Sequence, residues 1–195
     1  MKVNLVMSTP SFLASSIKLF AYYRNLADKS IAPLTLEQLQ RAPSPNDNSM
    51  SIIMQHMAGN MLSRWTDFLT TDGEKPDRNR DAEFTTQVWQ RGDLLAFWEA
   101  GWSCLENALN ALAEEDLTKV VYIRNEGHSV QEAILRQLAH LPYHVGQLVY
   151  LAKWMQGDDW QSLSIPKGAS ASYNQLHFAK DKSRKFFLND QSKGS

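Results

Sequence analysis

Apolar residues recur at helical spacing in four long stretches of the chain. Phe12, Leu13, Ile17, Phe20, Tyr23 and Leu26 form the first stripe. It follows Thr9-Pro10, a hydroxyl suited to capping with proline at the first helical position. The pattern predicts a helix to about Ile31, stopped by Pro33, then a short helical turn over Leu34 to Leu39 and a loop marked by Pro43, Pro45 and Asn46. A second stripe, Ile53, Met57, Met61, Trp65 and Phe68, predicts a helix that opens at Asn48 or Ser49 and ends before Asp72-Gly73. The third, with Leu94, Leu95, Trp98, Trp102, Leu105 and Leu109 on one side, predicts a helix over roughly Arg91 to Leu112, ended by Glu114 to Leu117.

The fourth stripe is the most sharply bounded. Ser129 and Glu132 form an S-x-x-E capping box immediately before it. Ile134, Leu138, Leu141, Val145, Leu148, Ala152 and Met155 then alternate at spacings of four and three, and Gly157 stands where a C-terminal cap belongs. Residues 71–90 hold Gly73, Pro76 and clustered charges without helical period, so they read as a long structured loop, with a short strand expected over Phe84 to Trp89. Val120 to Ile123, β-branched and aromatic, suggest a brief extended segment before a turn at Asn125-Glu126-Gly127. From Asp158 onward no helical stripe continues. Ser164 to Gly168 reads as an ordered loop, and the residues beyond about Lys180 as a polar, mobile tail.

Four long helices with little strand imply an all-α fold, a four-helix bundle with long connecting loops and at most short strands. The expected organisation is one domain over residues 1–180 and a tail over 181–195. A chain of 195 residues can bury a sizeable core without disulfides. The single cysteine, Cys104, agrees with a reducing compartment and, among Trp and Leu residues, reads as a small buried hydrophobe rather than a nucleophile. Apolar runs are too short and too interrupted to span a bilayer, and Asn4, Ser8, Thr9 and Pro10 break up the N-terminal apolar patch, so a cytoplasmic protein without a signal peptide is expected. With 20 Lys plus Arg against 21 Asp plus Glu, the charge balance offers no footprint for nucleic acid or anionic membrane.

His140 and His144 lie four residues apart on the fourth helix, so both imidazoles project from one face, about 6 Å apart along the axis. Pro142 between them cannot donate to the carbonyl of Leu138, and a kink is expected there. His56 on the second helix directly precedes Met57, as His140 precedes Leu141 and His144 precedes Val145. All three therefore flank a buried seam, whereas His128 and His177 fit less well. A haem reading fails, because the His140–His144 pair would compete for one ion and no C-x-x-C-H motif is present.

The stretch His140-Leu141-Pro142-Tyr143-His144-Val145-Gly146-Gln147 resembles the fourth-helix motif of the DinB/YfiT-like metalloenzyme superfamily. Gln55 to Phe68, Asp72 to Pro76, Arg78 to Asp81 and Trp160 to Gly168 resemble one bacterial branch of that superfamily whose function is unassigned. The resemblance implies a divalent metal ion, nickel or zinc, held by His56, His140 and His144. Three neutral imidazoles leave an ion its full charge and an open position, the arrangement of catalytic rather than structural sites. The implied activity is transfer involving a low-molecular-weight thiol, with hydrolysis as the other metal-dependent class; the alternative is a non-catalytic metal-bearing bundle that binds a small ligand or a partner protein. Asn60 and Arg64, one and two turns beyond His56, could orient a ligand or bind an anion, or simply form a polar line. Gln147 and Gln137 are candidate partners of the imidazoles, Arg78, Arg80 and Asp81 candidate lid or contact residues, and Gly146 a point of close helix approach. Trp65, Trp98 and Trp102 sit at stripe spacing as core or dimer-interface residues, and a homodimer is expected.

Overall fold

A computed structural model describes residues 11–182 of the chain. Its helices are α1 (Phe12–Ile31), α2 (Leu36–Gln40), α3 (Met50–Trp65), α4 (Arg91–Asn110), α5 (Val130–Gln156) and α6 (Ser170–Phe178), with strands β1 (Val120–Ile123) and β2 (Glu126–Ser129) between α4 and α5. The class is all-α. Three of the four long helices, α1, α3 and α5, begin where side-chain oxygens satisfy free N–H groups. Ser11 accepts from Ala14 N at 3.1 Å, Ser49 from Ile52 N at 3.3 Å, and Ser129 pairs reciprocally with Glu132. Ser11, not Thr9, caps α1; Thr9 and Pro10 lie outside the described residues, as does the tail from residue 183.

Four long helices share one core. α3 packs along α4 and α1 along α5, and contacts of α3 with α5 and of α1 with α4 join the two pairs. Phe20, Met57, Met61, Trp102, Leu105 and Leu148 meet at its centre. Trp65, Trp98 and Trp102 are all buried within this one chain, the last two edge to face with ring centres 5.6 Å apart. α3 differs from its neighbours because 14 of its 16 residues are buried, so it has no solvated face and its polar side chains need partners inside the protein.

For Gln55, His56 and Ser63 those partners come from the segment between α3 and α4. Ser63 Oγ donates to Gly73 O (3.1 Å) and accepts from Lys75 N (3.0 Å). Gln55 donates to Ala82 O (2.9 Å) and accepts from Trp89 Nε1 (3.0 Å). Anchored in this way, residues 84–89 run over α3 with no sheet to join, and the strand expected there is absent. A single 3-10 turn, Asp81–Phe84, stands beside it instead. β1 and β2 form a hairpin whose two-residue turn is Arg124-Asn125, both at positive φ (57° and 62°), one position before the turn read from the sequence. The Asp72 carboxylate accepts from the N–H groups of Arg124 and Asn125 at 2.8 Å each, and Gly73 N donates to Tyr122 O at 2.8 Å, which ties the loop to the hairpin tip.

α5 runs its full 27 residues through Pro142 and ends at Gly157, whose φ of 55° is the left-handed cap. α6 was not legible as a stripe because none of its residues is buried. Close helix approach falls at Gly101, not Gly146. A Cβ at Gly101 would stand 2.7 Å from Ala58 Cα on α3, while one at Gly146 would meet nothing within 4 Å. Gly101→Ala is therefore expected to cost about 1–3 kcal/mol in chemical denaturation. Gly146→Ala should leave stability equal or up to about 1 kcal/mol higher, from helix propensity alone.

Candidate metal centre

His56 on α3 and His140 and His144 on α5 converge. His56 Nε2 lies 3.2 Å from His140 Nε2, and His144 Nε2 lies 3.1 Å from the same atom. The three ligand atoms fall within 4.8 Å of one another. Two metal–nitrogen bonds of about 2.0–2.1 Å at a tetrahedral angle place their nitrogens roughly 3.3 Å apart, so the set has the span needed to share one ion. His56 is 4% exposed, and His140 and His144 are half-buried.

The proton inventory points the same way. His56 Nδ1 meets Glu83 Oε2 at 2.8 Å, and His144 Nδ1 meets Gln147 Oε1 at 2.8 Å. Both partners are acceptors, so each Nδ1 carries the hydrogen and donates it, leaving a lone pair on each Nε2 of the neutral rings. Two lone pairs then face His140 Nε2, which can donate to only one of them. A cation at the centre satisfies all three, which is the usual reason for an Nδ1–H held by a carboxylate or amide behind a ligating Nε2.

Glu83 is the residue that sequence reasoning missed. It enters from the 3-10 turn, 27 positions beyond His56, and only the folding of the 71–90 segment back over α3 brings it there. Arg78 grips it from the other side through Nε to Oε1 (2.7 Å) and Nη2 to Oε2 (2.9 Å). Burial raises the carboxyl pKa, but hydrogen bonds from His56 and Arg78 outweigh it and hold the group below its ordinary range. A carboxylate so engaged is a fixed acceptor rather than a mobile proton carrier. Gly59 makes room for it, since a Cβ there would stand 2.5 Å from Glu83 Oε1. That glycine, one turn from His56, was the available signal. Phe84 packs its ring on His56 with centres 4.6 Å apart, and the Arg80 guanidinium lies over the Phe84 ring, 4.9 Å from its centre.

The other sequence candidates divide. Gln147 orients His144 as described. Gln137 does not touch the imidazoles; it donates to Asn60 Oδ1 at 3.2 Å in a buried α5–α3 bridge. Arg64 is buried on α3, and Arg78 is clamped between Glu83 and Glu74 rather than placed on a lid. Asp81 opens the 3-10 turn that delivers Glu83. Cys104 is half-buried, with Sγ 3.4 Å from Thr66 Oγ1, remote in contact from the histidines.

Burial pushes the His140 imidazole down to about 3, with further contributions from His144, His56, Arg64 and Arg78, and burial also lowers His144. Between about 3 and the ordinary 6.5 the unfolded chain binds a proton at His140 that the folded chain does not. Stability from this source is therefore fully present above about 6.5 and is lost as pH falls below it, and His144 acts with the same sign. Thermal midpoints of the metal-free protein are expected to decline as pH is stepped from about 7 to 5. A His140→Asn chain should give a flatter profile, and coincident slopes would contradict the assignment.

Among the described residues no helix is long and apolar enough to cross a membrane. No curated protein matches the chain. A family model described as "protein of unknown function (DUF1572)" matches residues 7–169, and with most of its length so covered the chain belongs to this family.

Proposed function

We propose that the protein is a metal-dependent enzyme of the DinB/YfiT-like kind, a single-domain four-helix bundle over residues 1–180 in which His56, His140 and His144 hold one nickel or zinc ion. The observation that carries this reading is the approach of His56 Nε2 (3.2 Å) and His144 Nε2 (3.1 Å) to His140 Nε2, the first two with their Nδ1 hydrogens already committed elsewhere. A bound divalent ion would supply a nucleophile near neutral pH, from water or from a low-molecular-weight thiol.

The chain's own groups do the rest. Glu83 and Gln147 fix the tautomers and ring orientations of His56 and His144, and Arg78 keeps Glu83 ionised. Phe84 shields one face of His56 from water. Burial keeps His140 neutral at physiological pH, so its nitrogen is available to a cation without first losing a proton. Thiol-dependent S-transfer is the favoured reaction class and hydrolysis the second. The exposed Tyr143, Tyr150 and Trp154 on the outer side of α5 suit a face for pairing with a second copy.

Metal analysis of untagged protein is expected to find one nickel or zinc per chain, lost in His140→Ala. Glu83→Gln and Gly59→Ala, which disturb the acceptor behind His56, should each weaken metal affinity about 10–100-fold while the fold persists. The metal-loaded protein should turn over an electrophilic acceptor with bacillithiol, mycothiol or glutathione, or hydrolyse an ester, at a rate that disappears with a chelator. Stoichiometric metal with no metal-dependent turnover would instead favour a non-catalytic metal-bearing bundle. Protein that stays metal-free in added nickel and zinc would remove the reading altogether.

A further inference from the structure

Beside the histidines lies a cavity of about 180 Å³, with His56 and His140 in its wall. Five arginines also line it, namely Arg64, Arg78, Arg80, Arg124 and Arg136, and no carboxylate among the described residues does. Only two of the five are neutralised: Arg78 by Glu83 and Glu74, and Arg124 in part by Glu74 at 3.3 Å. Arg80 rests on the Phe84 ring, and Arg136 has no ion pair among the described residues.

Arg64 is the decisive one. Its residue is 9% exposed, its Nη1 is shut off from solvent, and no acceptor among the described residues meets it. An unpaired guanidinium inside a protein is costly, and like charges around it add to the cost. Burial first, and then Arg136, Arg78 and Arg124, push its pKa down to about 10, against a partial counter-effect from Glu74, so it remains a cation at neutral pH. This arrangement costs stability, yet it suits binding, because guanidinium forks are matched to the paired oxygens of carboxylates and phosphates.

We propose that this cavity is an oxyanion receptor in which Arg64 of α3 and Arg136 of α5 seat a carboxylate or phosphate group, with Arg124 from the hairpin tip and Arg80 from the loop completing the ring of charge. The cavity falls below the roughly 300 Å³ of drug-sized pockets, so the group received is small and multiply charged. Because His56 and His140 share the wall, the remainder of the molecule is held against the three imidazoles. The substrate class follows: an anionic acceptor or an acidic thiol, rather than a neutral one. This last step rests on the metalloenzyme reading; anion binding itself does not.

Calorimetry with inorganic phosphate and with malonate, on metal-free and metal-loaded protein at matched ionic strength with chloride as reference, tests the receptor. One saturable site is expected in both forms. Arg136→Gln and Arg124→Gln, both at exposed positions, should weaken it about tenfold or more with metal content unchanged. Arg64→Met should abolish binding and raise the melting temperature in phosphate-free buffer, since it removes an unpaired buried charge. Should Arg64→Met fail to fold, the two exposed variants carry the test. Preference for phosphate or for malonate identifies the head group, and either supports the receptor. No heat beyond that of chloride in wild type overturns it while leaving the metal reading intact. An Arg64→Met protein that melts lower yet binds normally overturns it as well, by making the arginine structural. Anion binding in a protein that refuses metal leaves the receptor standing and removes the enzyme.

Discussion

Everything in this structure turns on α3 being enclosed on every side while carrying Gln55, His56, Asn60, Ser63 and Arg64. A polar group taken out of water without a partner costs about 1–3 kcal/mol, so a helix of this composition cannot be buried by apolar neighbours alone. The segment from Asp72 to Trp89 answers that demand for Gln55, His56 and Ser63, while Asn60 is met by Gln137 of α5 and Arg64 Nη1 is left without a partner among the described residues. Its carbonyls, one indole and one carboxylate reach back to Ser63, Gln55 and His56 in turn. What looks like an over-long connection between two helices is the polar half of the interior.

The histidine cluster inherits its order from that arrangement. His56 is held on one side by Glu83 and on its ring face by Phe84, and both come from the covering segment. His140 and His144 come from a helix laid down independently by its own capping box. Two elements of different origin therefore meet at one point, and neither can shift without disturbing a buried hydrogen bond. Among the described residues Glu83 is also the one negative charge in direct contact with the cluster, shared between Arg78 and His56. Behind a ligating imidazole, such a carboxylate strengthens the nitrogen as a donor to a cation.

Much of this was legible in the residues. The α5 capping box, the stripes of α1, α3 and α4, the short α2 and the proximity of His56 to the α5 pair all followed from spacing and from the resemblance of the motif around His140 and His144. What escaped was whatever depended on chain segments meeting across long separations. Glu83 has no periodic relation to His56, and the strand expected at Phe84 to Trp89 failed because β propensity is idle without a neighbouring strand. The turn falls at Arg124-Asn125, one position ahead of the expected Asn125-Glu126-Gly127, with two non-glycine residues at positive φ. The close approach expected at Gly146 falls at Gly101 instead, because which glycine lies at a crossing is a property of the partner helix. A sharper signal was present in α3 itself, whose 16 residues contain Arg64 as the sole Lys, Arg, Asp or Glu, a composition foreign to any helix with a wet face.

The grip of Asp72 on the hairpin has a further meaning for the cavity mouth. One carboxylate accepts from Arg124 N and Asn125 N, and through Oδ1 from Glu74 N at 2.7 Å as well. Those hydrogen bonds, led by Asn125, hold its acid form in disfavour, so the clasp stays charged. The hairpin bearing Arg124 and the loop bearing Arg78 and Arg80 are thus riveted into one rim. With Gly73 N bonded to Tyr122 O as well, molecules entering from that side face an aperture whose two jaws travel together.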